Sequence, residues 1–337
     1  MKTKSRVHIV FIFVVLIVSL FNVRCAKRVA HIGVSHDDLV ENRFALLEEL
    51  NRTVLRISCS AQYLHEYYSK PNNMRSSSDS STLIDSRLLT KSVAGTGTII
   101  HNSGNRMLLL TCYHIFDFQD TIKTYYVDED NNLTDWLDVL SIKKTQSIFI
   151  KRANGTWDNG LLLASDKKND LALVLVDNRD DNMYERVFNG LKKDTYTPKL
   201  GEQVSMLGFP NGIFMINNGL VSFDSNENRL IISAIFHNGA SGGIVVSLDV
   251  IRKEYFFVGI AVAMPYDGKM LLAPEENGLY SYDNTATPYS GDSYIENVKF
   301  VKYGITYVIK NKVVIDFLNE NKDLLAAQSM YLSEIFK

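Results

Sequence analysis

Residues 233–248 read SAIFHNGASGGIVVSL, and at their centre Ser241 stands among small residues in the pentapeptide Gly239-Ala240-Ser241-Gly242-Gly243. A run of strand-forming residues, 244–248, follows at once. The glycines are typical of a tight hairpin turn. They would also let the backbone approach a substrate closely, which suits a serine that acts as a nucleophile. Only residues elsewhere in the chain can distinguish a turn from an active site.

Short strand-forming segments surround this stretch on both sides and are separated by turn residues. The clearest are GTGTIIHN (95–102), RMLLLTCYH (106–114), DLALVLVD (170–177), GEQVSMLGFP (201–210), YFFVGIAVAM (255–264) and KYGITYVI (302–309). Strands at such short intervals indicate an all-β barrel or sandwich. No helical crossover pattern alternates with them, which argues against a parallel doubly wound sheet.

Helical periodicity is confined to the two ends of this β region. Apolar residues recur at helical spacing between Leu39 and Leu50, and Ser35 or Asp37 could cap such a helix at its N-terminus. The segment 311–337 has a second helical pattern, with Val314 on its apolar face. We expect the second helix to pack on the β structure rather than to bind a partner.

The composition is that of an ordinary folded protein. The chain has 337 residues, of which 46% are hydrophobic and 22% are charged, and its formal net charge is -2. Such a balance favours neither nucleic acid nor an anionic membrane surface as a partner. The sequence has no His/Cys cluster with zinc spacing and no phosphate-binding loop, so we expect neither a metal nor an organic cofactor.

The N-terminus differs from the rest of the chain. Three of the first six residues are basic, and an almost purely apolar run follows over residues 7–21. This is the pattern of a secretory signal peptide. It predicts cleavage near Cys25 and a secreted or extracytoplasmic protein. An uncleaved membrane anchor through residues 7–23 is the alternative, since about 20 apolar residues can span a bilayer. Lys27 and Arg28 favour the anchor.

The three cysteines leave one question open. If Cys25 is removed with the signal peptide, Cys59 and Cys112 remain as a pair. Export would permit a disulfide bond between them. Two buried free thiols are the other interpretation, because the sequence does not establish that the two residues are close enough to be bridged.

Four local patterns occur in a meaningful order. They are GTGTII followed by LLLTCYHI with His114, DLALVLV with Asp170, GEQVSMLGFPNG, and GASGGI with Ser241. This order on an all-β chain resembles the trypsin/chymotrypsin-like serine protease family, and most closely its Do-type (HtrA-like) branch. The corresponding family segments are GSGFII…ILTNxHV, DLAVLK, G..V..iGxPxG and GNSGGP. The resemblance covers about residues 50–310.

The resemblance implies a fold and a division of the chain. The expected fold is all-β, a double six-stranded antiparallel β-barrel of the chymotrypsin type with flanking N- and C-terminal helices. No peptide-binding module of the PDZ kind is recognisable after the barrels. The expected parts are a signal peptide or anchor over 1–25, a helical segment over 26–50, a protease domain over 51–310 with barrels over about 51–190 and 191–310, and a C-terminal helix over 311–337.

The resemblance also implies a chemistry, namely hydrolysis of peptide bonds in protein or peptide substrates. A serine hydroxyl is a poor nucleophile until a base takes its proton, and His114 would be that base for Ser241. Asp170 would hold the imidazole in the correct tautomer and stabilise the imidazolium. The backbone N–H groups of Gly239 and Ser241 would form the oxyanion hole.

Three positions depart from the family pattern without removing a member of this triad. Tyr113 precedes the histidine, where relatives often have alanine or asparagine. Ala240 precedes the serine, where relatives have aspartate or asparagine, so activation by pairing a new N-terminus with that carboxylate is not expected. Ile244 follows the glycines in place of proline. A catalytically inactive protease-fold protein that binds peptides or partners is the alternative function.

The resemblance further predicts the substrate pocket. The residue six positions before the serine, here Ile235, would lie at the base of the primary pocket. An apolar base disfavours a Lys or Arg substrate side chain, because a cation there would lose its hydration without gaining a partner. We therefore expect cleavage after apolar residues, with His237 as a second candidate for the pocket lining.

Overall fold

The computed structural model describes residues 35–70, 81–103, 105–128, 132–177, 184–193, 196–223, 227–274 and 293–336. Residues 42–337 form one compact unit. The predicted signal peptide or anchor over 1–25 lies outside the described residues. In the part of the chain that is described, no helix combines the length and the apolar character needed to cross a membrane.

Helix α1 (His36–Asn51) begins as the sequence predicts. The hydroxyl oxygen of Ser35 accepts a hydrogen bond from Asp38 N at 3.0 Å, and the Asp38 carboxylate accepts one from Ser35 N at 3.1 Å. These reciprocal bonds satisfy N–H groups that have no partner inside the helix. Ser35, rather than Asp37, is therefore the N-cap. Further along the helix, Leu46 and Leu50 are buried.

The first half of the chain closes into an antiparallel barrel. Its strands pair in the order β1-β2-β3-β7-β6-β5, a pairing of β1 with β5 closes the ring of six, and β4 adds to the outer edge of β5. The strands are β1 (Val54–Tyr68), β2 (Leu83–Asn102), β3 (Arg106–Thr111), β4 (Thr121–Val127), β5 (Leu133–Lys151), β6 (Trp157–Asp166) and β7 (Leu171–Asp177).

The second half forms another closed antiparallel barrel, with six strands in the order β10-β15-β12-β11-β8-β9. Two further strands, β13 and β14, pair only with each other. The strands are β8 (Gln203–Gly208), β9 (Met215–Phe223), β10 (Arg229–Ile232), β11 (Ile244–Asp249), β12 (Glu254–Ala263), β13 (Tyr266–Pro274), β14 (Ser293–Val301) and β15 (Thr306–Lys310). The two six-stranded rings confirm the chymotrypsin-like fold class.

Adjacent strands β3 and β7 form the most deeply buried part of the first barrel. Five of the six residues of β3 and six of the seven of β7 are buried. Both faces of these strands are covered, which explains why their sequences are apolar at nearly every position instead of alternating. Each of the two strands leads directly into or out of a turn that carries a candidate catalytic residue.

The C-terminal segment packs on the barrels, but it is not the single helix that its periodicity suggests. It consists of α2 (Asn311–Glu320), α3 (Lys322–Ala327) and α4 (Leu332–Ile335). Helix α2 stops because the Asn321 side chain donates to Phe317 O at 2.8 Å, and Ser329 adopts a positive φ of 61° after α3. As predicted, Val314 is buried.

The two cysteines of the β region lie within the hydrophobic core. Cys59 on β1 and Cys112 after β3 are fully buried, and both are free thiols. The structure thus contains no disulfide bond between them, and they pack as small apolar side chains.

Candidate active site

His114 and Asp170 come from turns of the first barrel, and Ser241 comes from a loop of the second. His114 lies in a short 3₁₀ turn, Tyr113–Ile115, that follows β3. Asp170 ends the tight connection between β6 and β7, and Ser241 precedes β11. The three residues are far apart in the sequence, and the folding of the two barrels brings them together.

The side chains of these three residues form one line of hydrogen bonds. His114 Nδ1 lies 2.8 Å from Asp170 Oδ2, and His114 Nε2 lies 3.0 Å from Ser241 Oγ. A carboxylate can only accept, so Nδ1 carries the proton and Nε2 is left as an acceptor for the serine hydroxyl. The serine is thereby placed to lose its proton to the imidazole.

Asp170 holds the backbone of His114 as well as its ring. The other carboxylate oxygen, Oδ1, accepts a hydrogen bond from His114 N at 2.8 Å. Asp170 has a φ of 63°, a left-handed conformation that aspartate and asparagine tolerate better than most residues. Its side chain is largely covered, at 17% relative exposure, whereas the His114 ring is 41% exposed. The imidazole is therefore accessible to solvent, and its hydrogen bond to Asp170 fixes its orientation.

The loop around Ser241 keeps two backbone donors available. Three of its N–H groups, those of Ala240, Gly242 and Gly243, donate to backbone carbonyls. In the described part of the chain, the N–H groups of Gly239 and Ser241 are not bonded to any acceptor. They are the two donors that the sequence predicts for an oxyanion hole.

The orientation of the Gly239 N–H group follows from a contact on the other side of its peptide bond. The carbonyl oxygen of Asn238 accepts a hydrogen bond from Asn211 N at 2.8 Å. In a trans peptide the C=O and N–H groups point in opposite directions, so the Gly239 N–H group faces away from Asn211. Asn211, with a φ of 50°, belongs to the GFPNG segment of the third sequence motif.

Thr96 ties the serine loop to the first barrel, and sequence reasoning missed it. Its hydroxyl donates to Gly239 O at 2.8 Å and accepts from Phe209 N at 2.9 Å. Its backbone N donates to Ser241 O at 2.8 Å. Thr96 is fully buried, so each bond lies in a medium where its loss is costly. The only sequence signal was its place in the GTGTII motif, which does not reveal its partners.

Gly242 is required by the close approach of the two barrels. A Cβ atom at this position would lie 2.1 Å from Thr96 O and 2.4 Å from Thr111 Oγ1. Its φ of 85° also lies in the region that favours glycine. The glycine after the serine therefore permits contact between two backbones, in addition to forming a turn.

Comparison with known proteins agrees with this geometry. Residues 95–250 match the family model of the trypsin-like peptidase domain. The resemblance to the trypsin-like serine protease family is thus confirmed.

The chain is similar to the serine endoprotease from Yersinia pestis in its crystal structure, with 16% sequence identity and a TM-score of 0.44. The similarity covers 84% of this chain and 67% of that chain. No curated protein matches the sequence.

The thiol of Cys112 lies beside His114 and Asp170. One potential ligand atom from each of Cys112, His114 and Asp170 lies within 4.8 Å of the others. Complete burial raises the pKa of the Cys112 thiol well above its usual value, and the nearby charge of Asp170 adds to this effect. Metals bind the thiolate, so the protonated thiol is a poor ligand. It instead contacts Ala261 O at 3.5 Å.

The two predicted pocket residues lie on the loop that leads to Ser241. Ile235 is half-exposed, between the buried Ala234 and Phe236. His237 is partly exposed, and its ring lies 5.9 Å from that of Tyr303. Sequence reasoning missed Tyr303 because it follows β14, far along the chain.

The three departures from the family pattern are accommodated in different ways. Tyr113 points its hydroxyl to Asp117 Oδ1 at 3.1 Å. Ile244 is fully buried at the start of β11. Ala240 is also buried, at 1% relative exposure, and belongs to the core of the second barrel. A small apolar side chain at this position needs no charged partner.

Proposed function

We propose that this protein is a serine endopeptidase, with Ser241 as nucleophile, His114 as general base and acid, and Asp170 as the residue that orients the histidine. The observation that carries the proposal is the continuous hydrogen-bonded line from Asp170 through His114 to Ser241, at 2.8 Å and 3.0 Å. The match of residues 95–250 to the family model of the trypsin-like peptidase domain supports a protease function.

In the proposed mechanism, Ser241 Oγ attacks the carbonyl carbon of the scissile peptide while His114 Nε2 takes the hydroxyl proton. The carbonyl oxygen becomes an oxyanion that accepts hydrogen bonds from Gly239 N–H and Ser241 N–H. Each such donor contributes about 2.7–4 kcal/mol in enzymes where one has been removed. His114 then gives its proton to the leaving amine, which leaves an acyl group on Ser241. Water, deprotonated by His114, hydrolyses this ester.

A fluorophosphonate probe tests the proposal directly. Attack by Ser241 Oγ on phosphorus expels fluoride and leaves a covalent adduct whose mass identifies the residue. We expect the wild type to be labelled at Ser241 and the variants Ser241→Ala and His114→Ala to remain unlabelled. A wild type that is folded by circular dichroism yet takes no label would contradict the proposal. It would support instead the alternative function, a protease-fold protein that only binds peptides.

The proposed mechanism also determines the effect of pH. The mechanism requires a neutral imidazole, since an imidazolium cannot accept the serine proton, so the labelling rate should fall at acidic pH. The measurement is the labelling rate from pH 8 down to pH 4, with folding followed in parallel. Full activity at pH 4 would exclude His114 as the base.

We further propose that the substrate side chain before the cleaved bond is apolar. The support is Ile235, which the family pattern puts in the primary pocket and which offers no carboxylate to a cationic side chain. Chromogenic peptides ending in Val, Leu or Ala should be cleaved faster than those ending in Arg or Lys. Efficient cleavage of the basic peptides alone would refute this preference.

The N-terminal pattern supports a proposed location outside the cytoplasm. The basic start and the apolar run 7–21 suit either a cleaved signal peptide or an anchor through residues 7–23. N-terminal sequencing of the mature protein distinguishes them. A first residue near Ala26 indicates cleavage, and Met1 in a membrane fraction indicates the anchor. An intact chain in the cytoplasm would refute both.

A further inference from the structure

A pocket of about 430 Å³ lies apart from the proposed triad and carries an excess of positive charge. Its walls come from the start of β1, the turn between β5 and β6, and the segment that follows β8. Four of its residues are cationic, Arg52, Arg56, Lys151 and Arg152, and one, Glu185, is anionic. Phe209 and Phe214 add apolar surface. The proposed peptidase reaction uses none of these side chains.

The acidic residue of the pocket is already engaged. Arg152 and Glu185 form a buried, multiply hydrogen-bonded pair, with side chains only 3% and 1% exposed. Arg152 also contacts Asp158 at 2.7 Å. The carboxylate of Glu185 is therefore balanced by Arg152. It does not compensate the positive charge of the other pocket cations, Arg52, Arg56 and Lys151.

Arg56 and Lys151 are direct neighbours in the sheet. They are partners in the antiparallel register of β1 and β5. Like charges directly opposite each other in a sheet destabilise it. Both cations lie near the ring of Trp157 on β6, at 5.6 Å and 5.9 Å from its centroid, which offsets only part of this repulsion. An anion between the two side chains would remove it.

The Arg56 side chain is held in place, and one of its N–H donors has no acceptor in the described part of the chain. This donor is the buried Nε atom of Arg56. A Cβ atom on Gly212 would lie 2.7 Å from one of its terminal nitrogens, so the guanidinium rests against the backbone of that glycine. A buried donor without an acceptor is costly. The planar guanidinium presents paired N–H groups that match carboxylate and phosphate oxygens.

We propose that this pocket binds an anionic ligand through its phosphate or carboxylate group, held by Arg56 and Lys151. Three observations carry the proposal: the paired cations on β1 and β5, the unused donor of Arg56, and the engagement of Glu185 by Arg152. The ligand group would accept hydrogen bonds from the Arg56 guanidinium and pair with the Lys151 ammonium. The pocket, at about 430 Å³, has room for a molecule much larger than the charged group alone.

Trp157 supplies a direct readout that is independent of peptidase activity. The chain has two tryptophans, Trp136 and Trp157. In the variant Trp136→Phe, all tryptophan fluorescence therefore comes from Trp157. In this background, inorganic pyrophosphate and the dipeptide Asp-Asp are titrated separately at constant ionic strength, which removes general screening effects. The anion with the lower dissociation constant shows whether the pocket prefers a phosphate or a carboxylate group. Binding should also raise the melting temperature in proportion to saturation.

We expect a saturable change with at least one of the two anions. Arg56→Gln and Lys151→Gln should each weaken binding by at least about tenfold, as expected for loss of a charge-assisted hydrogen bond. Lys123→Gln, an exposed lysine of β4 outside the pocket, should leave it unchanged. No saturable response in the parent protein would overturn the proposal, as would equal weakening in Lys123→Gln. Having two variants keeps the test valid if one fails to fold.

Discussion

Replacing Thr96 by valine tests whether its hydroxyl holds the serine loop in place. The substitution keeps nearly the same shape and removes the bonds to Gly239 O and Phe209 N. The Gly239 carbonyl is buried and the Phe209 N–H group is partly buried. An unsatisfied buried group costs about 1–3 kcal/mol, and the partly buried Phe209 N–H group should contribute only about 1 kcal/mol. The two together should therefore lower the free energy of unfolding by about 2–4 kcal/mol.

The same substitution at Thr98 is a matched control. Thr98 lies two residues further along β2 and is equally buried, but its hydroxyl oxygen has no hydrogen-bond partner in the described part of the chain. Replacing it by valine removes an unsatisfied polar group. The free energy of unfolding should therefore stay the same or rise by up to about 1 kcal/mol.

Two measurements separate stability from the geometry of the site. Urea denaturation compares the midpoints of the two variants with that of the wild type, and fluorophosphonate labelling reports the reactivity of Ser241 under native conditions. Thr96→Val should lower the midpoint and slow the labelling, and Thr98→Val should do neither. Equal midpoints for the two variants would refute the argument. A lower urea midpoint for Thr96→Val with an unchanged labelling rate would show that Thr96 stabilises the barrels without positioning the loop.

The remaining predictions concern one buried ion pair and one glycine. Glu185→Gln should lower the free energy of unfolding by about 3–5 kcal/mol, because it leaves the Arg152 charge buried without its main partner. Asp85→Asn, which breaks an exposed pair with Arg87, should cost at most about 1 kcal/mol in the same urea experiment. Gly242→Ala should abolish labelling of Ser241 or prevent folding, since its Cβ atom would collide with backbone. A Gly242→Ala protein that folds and labels normally would contradict the close approach at this site.

The sequence predicts the fold class because the buried strands are marked by their composition. Residues 107–110 and 171–176 are apolar at every position, and polar residues bound both runs. Their order relative to the glycine-flanked Ser241 carries the resemblance. In the structure, the His114 ring lies within hydrogen-bond distance of both Asp170 and Ser241. Such contacts follow from a sequence only through a family pattern, since periodicity does not report which turns meet.

The sequence does not predict features that depend on tertiary contacts. Strands β1 and β2 run well beyond the barrel, and residues 85–92 of β2 are largely exposed, so burial imposes no alternation there. The role of Thr96 depends on the second barrel, 143 residues away at Gly239. The break between α2 and α3 depends on the side chain of Asn321, which local periodicity does not reveal.

The position of Ala240 bears on how the serine loop is held. In relatives with an aspartate before the serine, a charge can be paired there, whereas here the buried Ala240 offers none. The loop is instead held by neutral hydrogen bonds, from Thr96 to Gly239 and Ser241 and from Asn211 to Asn238. None of these bonds requires a newly formed N-terminus or a change of protonation. The geometry of the proposed oxyanion donors should therefore depend on the packing of the two barrels, and substitutions at this interface should alter reactivity more than changes of ionic strength do.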